Sequence, residues 1–254
     1  MPFSYKTILV VGATSGIGLA LSERFIENGC HVIAVGRRQQ NLDSFVQKHG
    51  RDKASSFQFD ITDLAGMPEF VKSVTEAHPK LDCVFLNSGL QRSLNFAKPL
   101  EIDLERADLE WKTNYTSYLH LTTHFLPFLQ SQSVPTSLIF TTSGLALIPI
   151  LHCPNYCATK AAIHHLIMAM RAQLKGGNVK VIEILPPAVQ TELHDQPDIE
   201  NGRSVGIPIG EFTDAAWEGL VTGEENIPVG ISKGPYEEGG FERKRLEAFR
   251  SRLG

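Results

Sequence analysis

Residues 7–18 read Thr-Ile-Leu-Val-Val-Gly-Ala-Thr-Ser-Gly-Ile-Gly, and this stretch decides the fold. Thr7–Val11 is a short apolar run rich in β-branched residues, the pattern of a strand covered on both faces. Gly12, Gly16 and Gly18 follow at once and open an apolar helical pattern that runs to about Asn28, with Gly29 as a candidate C-cap. Glycines let the backbone turn tightly and approach an anion. The helix N-terminus then offers unpaired N–H groups and a partial positive charge. The spacing is G-x3-G-x-G, distinct from the commoner G-x-G-x-x-G. Strand, turn and helix together point to a pyrophosphate-binding site; a tight turn with no ligand is the alternative.

The same alternation continues downstream. Strands are predicted at His31–Val35, Ser55–Phe59, Asp82–Leu86, Ser137–Thr142 and Lys180–Leu185. Helices are predicted at Asn41–Lys48, after a cap at Thr62 or Asp63, as one long helix over Leu104–Leu129, and at Asn155–Leu174. This order predicts an α/β fold: a doubly wound, mostly parallel Rossmann sheet of six strands in three layers. A seventh strand is a candidate near Ile227–Ile231. One domain is expected over 1–254, with 187–240 as a substrate loop or lid carrying a short helix at Phe212–Val221. A C-terminal helix is expected over 241–254. Its charged stretch, Phe241–Leu253, reads as a solvated face.

Composition narrows the classes. The chain has 254 residues, 42% hydrophobic and 20% charged, with a net charge of −4, which argues against a protein that coats nucleic acid. No apolar run approaches ~20 residues, so no membrane span is expected. The start, MPFSYKT, lacks the basic-then-apolar pattern of a signal peptide, and a cytoplasmic location is expected. Cys30, Cys83, Cys153 and Cys157 show no disulfide-framework spacing.

Two places at the carboxyl edge of the sheet carry chemistry. After the second strand, where an NAD site usually has an acid, the chain has Gly36-Arg37-Arg38. Two guanidiniums can fork onto a ribose 2′-phosphate, so NADP(H) is preferred over NAD(H); solvated arginines at the start of the next helix are the alternative. Asp60-Ile61 ends the third strand, where a carboxylate can accept from an adenine amine or serve a turn. Tyr156 and Lys160 are four residues apart on a helix, so they share a face about 6 Å apart. A cation ~6 Å away, at an effective dielectric of ~20, is worth roughly 2–3 kcal/mol and would bring the phenol down toward neutral pH. A random YxxxK pair is common, but Ser143, Asn87 and Gly89 end strands at the same edge. Asn114 sits mid-helix, where asparagine is a mediocre interior residue and a buried polar task is plausible.

With glycine turn, Asp60, Asn-x-Gly, Asn114, Ser143, YxxxK and a proline motif in order, the chain resembles a compact short-chain dehydrogenase/reductase over roughly residues 6–195. VGATSGIGLAL, LNSGLQR and ILPPAVQTEL are similar to the oxidoreductases that accompany D-alanine-transfer operons. The resemblance implies that Tyr156 protonates a carbonyl oxygen and Lys160 binds the nicotinamide ribose and lowers the phenol pKa. It implies that Ser143 polarises the substrate oxygen and Asn114 holds a water. Gly12, Ser15, Gly16, Ile17 and Gly18 would meet cofactor phosphates and ribose, and Asp60 and Ile61 would flank adenine. Asn87 and Gly89 would support its central section. Pro186, Val189 and Thr191 belong to the segment that would clamp the nicotinamide.

The implied reaction interconverts a ketone or aldehyde with an alcohol. A same-fold epimerase or dehydratase, or an idle NADP-sensing protein, are the alternatives. The implied substrate is a small, largely apolar molecule, in a pocket including Phe96, Leu147, Ile150 and Leu193. A homodimer or homotetramer is implied, with Leu104–Leu129 and the Tyr156 helix as the bundle; His164 and His165 could face a partner or be ordinary surface or core histidines. His152, Cys153 and Cys157 lack the spacing of a zinc site, and no metal is expected. Val11, Leu86, Ser88 and Pro187 depart from the family's usual residues without removing a reacting group.

Overall fold

The computed structural model of the chain describes residues 3–195 and 201–252. Residues 196–200 of the expected loop segment, and both extreme ends of the expected domain, lie outside the described residues. Seven parallel strands form one sheet in the order β3-β2-β1-β4-β5-β6-β7. They are β1 (Thr7–Val11), β2 (His31–Gly36), β3 (Ala54–Gln58), β4 (Cys83–Leu86), β5 (Thr136–Thr141), β6 (Val179–Leu185) and β7 (Asn226–Pro228). The helices are α1 (Gly16–Glu27), α2 (Gln39–His49), α3 (Met67–Ala77), α4 (Leu104–Trp111), α5 (Ser117–Ser131), α6 (Pro154–Gln173), α7 (Ile209–Thr222) and α8 (Phe241–Ser251).

Alternation along β1 explains the three layers. Ile8 and Val10 join a cluster with Leu21, Phe25 and Phe212 on one face. Leu9 and Val11 join Phe70, Tyr118, Phe125 and Ile163 on the other. Every β1 residue after Thr7 is buried, which is why the strand reads as a continuous apolar run. Chain order reverses between β1 and β4, and the crevice at their carboxyl ends is where such sheets bind ligands.

Several boundaries depart from the sequence reading. The helix predicted over Leu104–Leu129 is broken at Lys112–Thr116 by one π-helical turn, which holds Asn114. A π turn inserts a residue into the ladder and is frequent at functional sites. β4 starts at Cys83, one residue later than expected, and the Asp82 carboxylate accepts from the backbone N–H of Lys6 and Thr7 at 2.8–3.1 Å. Neither Thr62 nor Asp63 caps α3, whose N-cap is Gly66. Asp63 Oδ1 instead accepts from Gly66 N at 3.0 Å. The seventh strand exists but covers only Asn226–Pro228; Gly230, with φ +57°, turns the chain into a 3-10 run over Gly230–Tyr236.

Candidate active site

The turn between β1 and α1 is built to admit something large and anionic. Gly12 has φ +89°, and a β carbon there would lie 2.7 Å from Ser88 Oγ. A β carbon on Gly18 would lie 2.0 Å from the Gly12 carbonyl oxygen, so the turn closes only with glycine there. Ser15 is the N-cap of α1 but its side chain makes no capping bond, and the first turn carries no acid. The N-terminal N–H groups and the helix dipole therefore face the crevice uncompensated.

A cavity of about 1100 Å³ runs from this turn across the sheet edge. Gly12, Ser15, Gly16, Ile17, Arg37 and Arg38 line one end, with Asp60 and Ile61 beside them. Asn87 and Gly89 line the middle; Ser143, Tyr156, Lys160, Pro186, Val189 and Thr191 line the far end. Gly18 stands behind the turn. Asn114 also stands behind the wall: its Oδ1 accepts from Leu90 N and its Nδ2 donates to Leu90 O, both at 2.8 Å, with a third bond to Thr159 Oγ1.

The two arginines are not equivalent. Arg38 bends back onto the glycine turn, donating to Ser15 Oγ at 2.6 Å and Thr14 Oγ1 at 3.1 Å, and pairs with Glu192 at 2.9 Å. Arg37 is more exposed and lies 3.9 Å from Asp60 Oδ2. Asp60 Oδ1 accepts from the Thr62 N–H and hydroxyl, forming a turn.

Ser143, Tyr156 and Lys160 converge at the far end and are 7%, 5% and 2% exposed. The Ser143 hydroxyl stands beside the Tyr156 phenol and accepts from Leu145 N at 3.1 Å. Lys160 Nζ donates to the Thr141 carbonyl at 2.9 Å and stands 5.5 Å from the centre of the Tyr156 ring. The expected lowering of the phenol pKa is overturned here. Burial pushes Tyr156 well above the ordinary tyrosine range, Cys153 and Glu110 add to this, and the Ser143 hydroxyl only partly opposes it. Burial also brings Lys160 down to about 8, against the pull of Glu110 and Glu183. Desolvation disfavours both charged forms in this water-poor corner. The phenol is held in its protonated form.

The surrounding polar groups come from distant parts of the chain and leave no local sequence signal. Glu110, fully buried, accepts from Arg92 N at 2.7 Å and Asn155 Nδ2 at 2.6 Å, tying the Gln91–Arg92 loop to α4 and α6. Tyr118 Oη donates to Ser88 O at 2.6 Å, and Thr141 Oγ1 to Asn87 Oδ1 at 2.9 Å. Buried Gln91 bridges Cys153 Sγ and His194 Nδ1, each at 3.0 Å. Among the apolar walls, Ile150 and Leu193 line the cavity as expected, but Phe96 and Leu147 do not; Ile148, Val205, Ile231 and Pro235 do. Phe96 is 74% exposed on its loop. Of the two readings of His164, the structure has the core histidine: it is buried against Glu183 and Glu242. Glu242 is fully buried too, so the C-terminal charged helix is anchored by one face and not merely solvated. Among the described residues no cluster of three His, Cys, Asp or Glu is arranged to hold a metal, and no helix is long and apolar enough to cross a membrane.

A parallel sheet with a glycine turn at its switch point and a phenol–ammonium–hydroxyl set at the same edge defines an oxidoreductase-type nucleotide site. The chain belongs to the short chain dehydrogenase family, whose model matches residues 6–201. It is 32% identical over 228 residues to the uncharacterized oxidoreductase DltE of Bacillus subtilis, covering 89% of each chain. It is 30% identical over 198 residues to a benzil reductase ((S)-benzoin forming) of Saccharomyces cerevisiae, covering 76% of this chain and 74% of that one. A short-chain dehydrogenase from Sphingobium yanoikuyae in complex with NADPH has the same fold, with a TM-score of 0.81 at 23% identity, covering 98% and 94%.

Proposed function

We propose that the protein is an NADP(H)-dependent reductase that converts a largely apolar ketone or aldehyde to an alcohol, or runs the reverse reaction. The observation that carries this reading is the convergence of Ser143, Tyr156 and Lys160 at one end of a cavity whose other end is a glycine turn and helix N-terminus. The residues fit a dinucleotide: no β carbon fills the turn, and the buried Lys160 ammonium points no acid partner at the cavity.

Gly12, Ser15, Gly16 and Ile17 would hold the phosphates, and Asp60 with Ile61 the adenine. Asn87 and Gly89 would hold the middle section, with Lys160 and the Pro186–Thr191 segment at the nicotinamide end. When bound, the cofactor supplies or accepts the hydride. The chain's own groups do the rest. Ser143 donates a hydrogen bond to the carbonyl oxygen and orients it. Tyr156 Oη delivers its proton to that oxygen as negative charge develops there. Burial of the phenol keeps that proton in place until then, which favours reduction at neutral pH. Lys160, at about 8, is still largely protonated at pH 7 and offers a cation to the resulting phenolate. Leu145, Ile148, Ile150 and Leu193 give the substrate end an apolar lining.

The reading is tested by incubating purified protein with NADPH and a panel of activated aryl and dialkyl ketones. NADPH consumption with at least one member is expected. Tight NADPH binding with no turnover would overturn it in favour of a nucleotide-sensing role.

Arg37 and Arg38 support NADP(H), since both guanidiniums line the cavity beside the turn and no acid stands at the end of β2. Removing either is expected to lower NADPH affinity about tenfold or more and to leave NADH affinity nearly unchanged, since a charged hydrogen bond is worth roughly 1.5–3 kcal/mol. Titration of Arg37→Ala and Arg38→Ala with both cofactors measures this; an unchanged preference in both sinks the assignment. Exposed Leu109 and Trp111 on α4 support a homo-oligomer. Four buried, unpaired cysteines suit the reducing cytoplasm.

A further inference from the structure

A buried ionic row leads away from the reacting groups and has no part in the proposed chemistry. Thr142, the residue before Ser143, donates from Oγ1 to Glu183 Oε1 at 2.6 Å. Glu183, fully buried on β6, faces His164 Nδ1 at 2.8 and 2.9 Å through its two oxygens. His164 lies on α6 one turn beyond Lys160 and is 1% exposed. Its Nε2 meets Glu242 Oε1, on α8, at 3.0 Å. Glu242 also pairs with Arg245. Both ring nitrogens face carboxylate oxygens, so both donate, and the ring is an imidazolium between two carboxylates. Arg171 on the same helix, His165 beside Arg245, and Tyr236 from the 3-10 run complete the charged and titratable groups around it.

The row joins two walls of one cavity. At one end is the Ser143 turn. At the other is α8, packed against Gly230–Tyr236, the run that brings Ile231, Ser232 and Pro235 to the cavity. Ser232 closes on the Ser143 turn: a β carbon on Gly144 would lie 2.3 Å from its Oγ. That Oγ is buried with no hydrogen-bond partner, and Ile231 is 87% exposed at the rim. Residues 230–236 thus present an apolar rim to the substrate end and pack Ser232 against the Ser143 turn. The ionic row, together with the Arg245–His165 contact, ties α8 to the catalytic helix, and α8 packs against this segment.

We propose that Glu183, His164 and Glu242 form a latch that seats residues 230–236 as a wall of the substrate pocket. His164 and Glu242 are then positioning residues for substrate binding, far from the hydride and proton chemistry. This rests on the reductase reading, because the wall is useful only if a carbonyl compound occupies that end.

The test combines hydrogen exchange with steady-state kinetics on Glu242→Ala and Glu242→Gln. Glu242→Gln keeps an acceptor for His164 Nε2. In Glu242→Ala, amide exchange in 230–236 is expected to speed up about tenfold and the KM for the best ketone to rise about tenfold, with kcat within about threefold and NADPH affinity unchanged. Glu242→Gln is expected to fall between this and wild type. Should the alanine variant fail to fold, the glutamine variant is read the same way at smaller amplitude. Unchanged exchange in 230–236, or faster exchange with unchanged KM, would overturn the latch. If wild type reduces no ketone, the proposed reaction falls and the latch is judged on exchange alone.

Discussion

Tyr156→Phe is expected to lower kcat for ketone reduction about a thousandfold, within the range of roughly 10²–10⁴ for a general acid, while NADPH binding changes less than about threefold. The ring loses only its hydroxyl. It stays packed against Cys153, Cys157, Leu145 and Leu193, so neither a cavity nor a change of backbone is introduced. Ser143 remains to hold the carbonyl oxygen, but its own proton is far harder to release, and the site is too buried for water to take over. Lys160 keeps its bond to Thr141, so the cofactor end is untouched. Single-turnover reduction and a fluorescence titration with NADPH separate the two effects. Residual activity above a tenth of wild type would mean that the proton comes from another group, and the reading of Tyr156 as the acid would be wrong.

His164→Leu is expected to cost about 3–5 kcal/mol of stability at pH 7, because removing one partner leaves buried charge uncompensated. Glu183 and Glu242 are both fully buried and rely on the imidazolium between them. The sign with pH follows from the direction of the shift. Burial opposes the charged ring, but hydrogen bonds to Glu183 and Glu242 prevail and hold His164 at about 9, above the ordinary imidazole value of about 6.5. A group bound more tightly to its proton in the folded state stabilises fully below its unfolded pKa, and that contribution fades as pH rises through the folded one. Wild type should therefore weaken between pH 7 and pH 10, and the gap to the leucine variant should narrow over the same interval. Urea unfolding of both proteins at the two pH values measures this. A gap that stays constant or widens would show that the ring is not charged in the folded state.

The contrast between these residues explains how far the chain could be read without coordinates. Tyr156 and Lys160 were legible because helix geometry sets the relation of residues four apart. Gly12, Gly16 and Gly18 were legible because a β carbon is sterically excluded at a tight βα turn. The parallel α/β class followed from the alternation of apolar runs with amphipathic stretches, which depends on short-range burial patterns. The π turn at Asn114 was not legible: it answers to the Leu90 backbone, 24 residues away. Phe96 and Leu147 were expected in the pocket and lie outside it, while Ile231 and Pro235 arrive from the C-terminal segment.

From local pattern come the α/β class, the family, the glycine turn and the candidate reacting residues. All of these rest on interactions within a few residues along the chain. Folding in three dimensions sets the protonation of Tyr156 and Lys160, the closing of Glu110 over the Gln91 loop, and the clamping of His164 between two carboxylates. Desolvation depends on everything that surrounds a group. A buried pair forms between whichever residues the packed layers bring together, and neither is recorded in the spacing of letters.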